Sequence, residues 1–286
     1  GVSMINNTAD YSRFQDKVRN ANFQMVFWGW NADYPDPENF MFLLYGPNSA
    51  NGVLHIITKS PFGSEGTTIG LGGGERSLRN VSFRHAASIS DKVGVKVSGQ
   101  YYEGNDWEFV DSVEVADRGS NPRNYDLDKL SGEARVDLRP NDETEIILSA
   151  GLTQAKLIEM TGLGAAQADD WRYGFGQAKV RYRDWFAQAF YNRSDSGTNT
   201  RLLRTDEPIV EKSTLLVFQL QHRAKLGDRQ SLTFGGDILR TRPKTEGTIS
   251  GRHEDRDDIN EFGIYLQSET AINEYVDLVV PGAAFT

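Results

Sequence analysis

From residue 66 onward the chain alternates apolar and polar side chains with a period of two. In 93–101, Val93, Val95, Val97, Gly99 and Tyr101 fall on one face, and Gly94, Lys96, Ser98 and Gln100 on the other. In 133–138, Ala134, Val136 and Leu138 oppose Glu133, Arg135 and Asp137. In 143–153, Thr144, Ile146, Leu148, Ala150 and Leu152 oppose Glu143, Glu145, Ser149 and Thr153, with Ile147 as the exception. The pattern returns at Ala178, Val180, Tyr182; at Leu216, Phe218, Leu220; at Leu232, Phe234, Ile238; and at Phe262, Ile264, Leu266. Such alternation marks strands with one greasy and one wet face. Eleven are expected, near 66–74, 78–89, 92–104, 130–139, 143–154, 171–183, 185–193, 213–225, 229–241, 260–271 and 274–280.

The connections sharpen this. Short polar turns fall at Ser90-Asp91, Pro140-Asn141-Asp142, Arg183-Asp184, Gly227-Asp228 and Asn273-Glu274. Long polar loops fall between them, near 105–129, 155–170, 194–212 and 242–259, and only the first hairpin, around Glu75-Arg76, breaks the alternation. A soluble sandwich has no reason to gather every long loop at one end, whereas an outer-membrane barrel does. The expected strands also outrun the ~5–6 residues usual in soluble sheets. The fold class is therefore all-β: a partial antiparallel transmembrane β-barrel preceded by a short α/β segment. Aromatics near strand ends (Tyr101, Tyr102, Trp107, Trp171, Tyr173, Tyr182, Trp185, Tyr191, Tyr275) are expected to form an interfacial girdle.

The opening residues read differently. Tyr11, Phe14, Val18 and Ala21 recur at helical spacing within Thr8–Asn22. Phe23–Trp28 follows as a buried strand, and Gly29, Pro35 and Pro37 break the chain into a loop. Val53–Ile57 is an apolar run suited to a strand covered on both faces.

Composition removes several classes. The 286 residues hold no cysteine, so disulfides, thiolate metal sites and a cysteine nucleophile are excluded. With 31 Lys+Arg against 40 Asp+Glu the net charge is −9, which speaks against a nucleic-acid partner. No apolar run reaches a helical span. Nothing at Gly1 resembles a secretory leader, so a mature chain or a fragment is expected.

Candidate chemistry is sparse. His55, His85, His222 and His253 are scattered without ligand spacing, so no metal site is expected. Gly70, Gly72, Gly73 and Gly74 lack the lysine and following helix of a phosphate loop and read as strand glycines. The run Arg252–Asp258 lacks calcium-loop spacing and reads as a solvated loop. No acid/base pair or cofactor motif stands out, so neither an enzyme nor a bound cofactor is expected. Lys96, Gln100, Glu133, Arg135, Asp137, Glu143, Glu145, Lys179, Arg181 and Arg183 are expected to face a water-filled lumen.

Two resemblances enter on particular strings. Residues 44–61, Leu-Tyr-Gly-Pro-Asn-Ser-Ala-Asn-Gly-Val-Leu-His-Ile-Ile-Thr-Lys-Ser-Pro, resemble the closing strand of the plug domain in TonB-dependent outer-membrane receptors. The stretches Arg84-His85-Ala86 and Gly99–Trp107 are similar to that family's opening barrel strands. The family pairs a larger plug with a barrel of about 22 strands. The resemblance therefore implies the end of a plug at 49–62 and the first half of a barrel at 63–286. There is no recognisable TonB box, and the closing Ala284-Phe285-Thr286 lacks the terminal aromatic that outer-membrane assembly normally reads.

Residues 10–17 and 23–40, through Trp28, Trp30 and Asp33, resemble a segment of the periplasmic peptide-binding proteins of ABC importers. There the acid matching Asp33 meets the ligand's α-amino group, which makes Asp33 the ligand-binding candidate. The two resemblances meet at Leu44–Asn48, so 1–48 is expected to be a piece of periplasmic origin joined to the receptor as a chimera.

The resemblance implies energised uptake of a scarce nutrient, such as an iron–siderophore complex, in the outer membrane of a Gram-negative bacterium. Its partners are the TonB energy-transducing complex, outer-membrane lipid and a small nutrient ligand. The alternatives are a passive porin-like channel and a soluble peptide-binding component. Two bare sheet edges would expose unpaired N–H and C=O groups, each costing several kcal/mol in hydrocarbon, so this chain alone is expected neither to insert stably nor to transport.

Overall fold

The computed structural model describes residues 59–249, 251–273 and 276–285. The readings of 1–58, including the α/β segment, His55 and Asp33, lie outside them, as does Tyr275. Alternating apolar and polar side chains underlie most of twelve strands: Gly66–Gly73 (β1), Arg79–Ser90 (β2), Val93–Asn105 (β3), Asp126–Asn141 (β4), Thr144–Thr161 (β5), Gly164–Tyr182 (β6), Trp185–Asp195 (β7), Arg201–Leu202 (β8), Thr214–Leu226 (β9), Gln230–Arg242 (β10), Ile259–Asn273 (β11) and Val276–Phe285 (β12). They form a single antiparallel sheet in which each long strand pairs with the next, and β8 adds to the side of β6. Among the described residues β1 and β12 do not meet, so the wall is unclosed.

The eleven expected strands are present, most within a few residues of their expected bounds. The twelfth, β8, is a two-residue addition that pairs Leu202 with Ala166 and Arg201 with Gln167. One expected loop is not a loop. Residues 155–170 continue β5 and β6 into a protruding hairpin that turns at Gly162-Leu163, with Thr161 opposite Gly164. Small residues such as Ala165, Ala166 and Ala168 let the two strands keep pairing there, although the strict alternation is lost.

All other connections sort as expected. One end of the wall, the turn end, carries the tight turns after β2, β4, β6, β9 and β11. The opposite, loop end carries the first hairpin at 74–78, the 106–125 loop, the β5–β6 tip, and the loops 196–213 and 243–258. The 106–125 loop holds one helix, Ser112–Arg118 (α1). Asp111 caps it by accepting from the Val113 and Glu114 amides, and Gly119 ends it with φ 77, the left-handed geometry a glycine adopts without strain.

Burial is concentrated at the loop end. Ala155, Ala166, Ala168, Leu203 and Ile209 are almost fully covered, while the wall's apolar face is open.

Candidate functional site

The outward face carries an apolar belt that runs across the strands. Val95, Val136, Leu148, Ala178, Ala189, Phe218, Ile238 and Phe262 are successive cross-strand partners from β3 to β11. Leu148, Phe218, Ile238 and Phe262 are each 41–48% exposed, so this row is not covered by any other part of the described chain.

The upper edge of the belt is oblique to the pairing rows. On the row Leu71–Val81–Tyr101–Leu130–Gln154–Arg172 the first charge comes on β6. One row nearer the turn end, Phe83–Gly99–Gly132–Leu152–Gly174–Arg193, it comes on β7. On the next, Thr67–His85–Val97–Ala134–Ala150–Gly176–Tyr191–Leu216–Arg240, which opens on the hydrogen-bonded polar pair Thr67 and His85, the first Lys, Arg, Asp or Glu comes on β10. Between Arg172 and Arg240 the border thus descends four residues, roughly 14 Å, over three strand spacings, also roughly 14 Å. A slope near 45° is what a flat apolar slab makes across strands tilted roughly 35–45° from its normal. Above the border sits a collar of ion pairs: Arg79–Glu103 at 3.0 Å, Arg172–Asp170 at 3.3 Å and Arg193–Asp195 at 3.4 Å.

The aromatic girdle is smaller than the sequence suggests. At the turn end Tyr182 and Trp185 lie on the outward face, with the Trp185 ring stacked 4.2 Å from His222 and His222 edge-on to Phe234 at 5.4 Å. At the loop end Tyr101, Tyr191 and Trp107 are exposed, and the Arg76 guanidinium lies 4.8 Å from the Trp107 ring centre. Trp171 and Tyr173 do not belong to it. They are 6% and 3% exposed and project inward, where Trp171 Nε1 donates to Ser194 Oγ at 3.0 Å. Tyr102 also shares the inward face, opposite Lys129.

The inner face is polar, and residues 59–65 lie against it as a strap. Ser60 Oγ donates to Asp137 Oδ2 at 2.6 Å, and Arg135 grips the same carboxylate at 2.6 and 2.9 Å. Lys96 Nζ donates to the Lys59 carbonyl at 3.1 Å. Arg84 donates to the Ser64 carbonyl and hydroxyl, both at 2.6 Å. Pro61 is fully buried beside Gly94, and the Arg139 guanidinium lies 4.3 Å from the Phe62 ring centre. At the start of β1, the Ser88 hydroxyl donates to Glu65 and holds its carboxyl below the usual range.

The expected lumen set therefore divides. Lys96, Arg135 and Asp137 meet the strap. Gln100, Glu133, Glu145, Lys179 and Arg181 share the same inward face. Glu143 and Arg183 do not line it, because both sit in turns at the turn end, where Arg183 Nε donates to Glu143 at 2.8 Å. Above the strap, Arg84, Ser98, Gln100, Ser131 and Glu133 border an open hollow of about 480 Å³.

At the loop end, long connections are braced to one another. Glu114 is 4% exposed and takes both of its Arg123 contacts at 2.7 Å. Arg204 reaches Asp117 at 2.6 Å, while Asp206 is held by Arg118 at 2.9 Å and Arg201 at 3.0 Å. The charge run at 252–258 is not simply solvated: Glu254 accepts from the amides of Thr245, Glu246 and Gly247, and Asp258 pairs with Arg242 at 3.1 Å. No signal in the sequence marked these loop-to-loop contacts or α1, since each depends on which loops the sheet brings side by side. Among the described residues no cluster of His, Asp and Glu could hold a metal ion.

No family model matches this sequence, and no curated protein does. Solved structures do share its wall. A variant of the ferric enterobactin receptor PfeA from Pseudomonas aeruginosa superposes with a TM-score of 0.56 at 11% identity, over 84% of this chain and 42% of that one. The copper transporter OprC superposes at 0.57 and 16% identity, over 85% of this chain and 40% of that one. A second PfeA variant gives 0.52 at 12% identity, over 82% and 41%. The wall has the fold of part of a TonB-dependent receptor barrel. The chain spans about two fifths of the length of these receptors. At such identities the likeness is one of fold, and the receptor-like wall carries no substrate assignment with it.

Proposed function

We propose that residues 63–286 are the first half of the barrel of an outer-membrane receptor, and that 49–62 are the end of its plug. The observation that carries this is the oblique upper edge of the apolar belt, which a water-soluble sheet has no cause to build. In this reading the turn end faces the periplasm and the loop end the exterior. The function is energised uptake of a scarce nutrient, with the TonB complex as the source of work. An iron–siderophore complex or copper is the cargo class suggested by the proteins that share the fold.

A passive channel is the second reading. The strap on the inner wall speaks against it, because an open pore has no need of a segment bonded through Asp137, Lys96 and Arg84. The test is uptake of labelled ferric siderophore or copper by cells carrying the gene within its native flanking DNA. Uptake that stops when TonB is deleted supports the receptor. Ion conductance that persists without TonB supports the channel. Recovery of the chain from the soluble periplasmic fraction would sink both.

A further inference from the structure

The inner wall carries an unbalanced charge. Over its turn-end half, inward positions of β2 to β6 hold Arg84, Lys96, Arg135, Arg139, Lys179 and Arg181 against Glu133, Asp137 and Glu145. Six cations against three acids leave an excess of three in a chain whose net charge is −9. The strap does not neutralise this. It meets Arg84 and Lys96 with carbonyl and hydroxyl oxygens only. Asp137 is taken by Arg135 and Ser60, and Glu145 is shared by Arg139 at 3.5 Å and Arg181 at 3.7 Å.

Lys179 is left over. It is half-buried at mid-wall, on the row Asp137–Ile147–Lys179–Gln188–Gln219. Among the described residues it has no hydrogen-bond or ion-pair partner. Gln177, two residues along β6, and its cross-strand partner Ser149 bring further donors to the same patch. An ammonium withdrawn from water without an acceptor is costly, and a site that keeps one is built for an anion.

We propose that this patch is an anion subsite centred on Lys179, taking a carboxylate or phosphate group. The proposal rests on the reading of this face as the wall of a water-filled passage. The source is an anionic solute in transit through that passage.

The test uses the full chain in the membranes or micelles in which it is isolated, with acetylation of each lysine read by mass spectrometry. Lys129, inward on the same wall but nearer the loop end, is the internal reference. Citrate or inorganic phosphate at about ten times its half-saturating concentration slows Lys179 acetylation about tenfold, by mass action. In that case Lys129 is unaffected, and Lys179→Gln loses citrate binding in calorimetry while Lys179→Arg keeps it. Acetylation of Lys179 at the Lys129 rate with and without both anions overturns the proposal. That result would leave the membrane reading standing, since lipid contact is measured on the opposite face.

Discussion

Ser60 and Asp137 are joined by a 2.6 Å hydrogen bond across 77 positions of sequence. Asp137 is fully buried, and its other contacts come from Arg135, whose side chain is 11% exposed. Asp137→Ala therefore removes the buried carboxylate on which Arg135 and Ser60 converge and should destabilise the fold by about 3 kcal/mol. Ser60→Ala removes one hydrogen bond and should cost about 1 kcal/mol. Urea midpoints in detergent micelles measure both, and equal effects of the two changes would contradict this account.

Gly94 is set by the strap rather than by its own backbone. A methyl group there would lie 2.9 Å from Pro61 Cγ and 3.2 Å from the Phe62 ring. Gly94→Val should lift the strap while leaving the sheet paired. Limited proteolysis checks this: cleavage within 59–65 should become faster, with the β2–β4 amides keeping their exchange protection.

Leu148 sits mid-belt and is 43% exposed. If it faces lipid, Leu148→Arg costs about 2–4 kcal/mol. On a water-facing surface the same change would stay within about 0.5 kcal/mol. The difference in folding free energy, measured in lipid vesicles on the chain expressed with its native flanking sequence, decides between them.

Brominated lipids offer an independent reading of the two faces. Trp185, outward at the turn end, should be quenched strongly, whereas Trp171, inward and bonded to Ser194, should be protected. Fluorescence of variants that retain one tryptophan at a time reports each separately. Equal quenching at both positions would contradict the assignment of faces.

Asp206 ties α1 to the β8 turn. The Arg118 and then the Arg201 hydrogen bonds hold its carboxyl below the ordinary aspartate value. A depressed carboxylate stabilises fully above the unfolded value, about 3.9, and the effect fades as pH falls through the lower folded value. The α1 amides should thus keep their hydrogen-exchange protection down to about pH 4 and lose it only below. Asp206→Asn should lack that acid-dependent step.

What was legible in the sequence is the wall. Val95, Val97 and Tyr101 against Lys96, Ser98 and Gln100 declare a strand with two unlike faces, because side chains alternate at every residue. The β5–β6 extension was hidden, since between Ala155 and Ala168 alanine and glycine weaken the contrast between faces and the register shifts at Ala155/Leu157. Trp171 and Tyr173 were misread because an aromatic near a strand end has the same sequence signal whether it points to lipid or into the lumen. The strap was beyond reach for another reason. Ser60 meets Asp137 only because the registers of β2 through β4 bring Lys96, Arg135 and Asp137 to one spot on the inner wall.

The direction of the outer strands constrains whatever completes the wall. β1 and β12 both ascend from the turn end to the loop end. Joined edge to edge they would lie parallel, and so would two copies of the wall set side by side in the same orientation. A ring that stays antiparallel throughout needs an insert with an odd number of strands, descending at both of its flanks. Parity alone therefore rules out an all-antiparallel ring made only of copies of this wall.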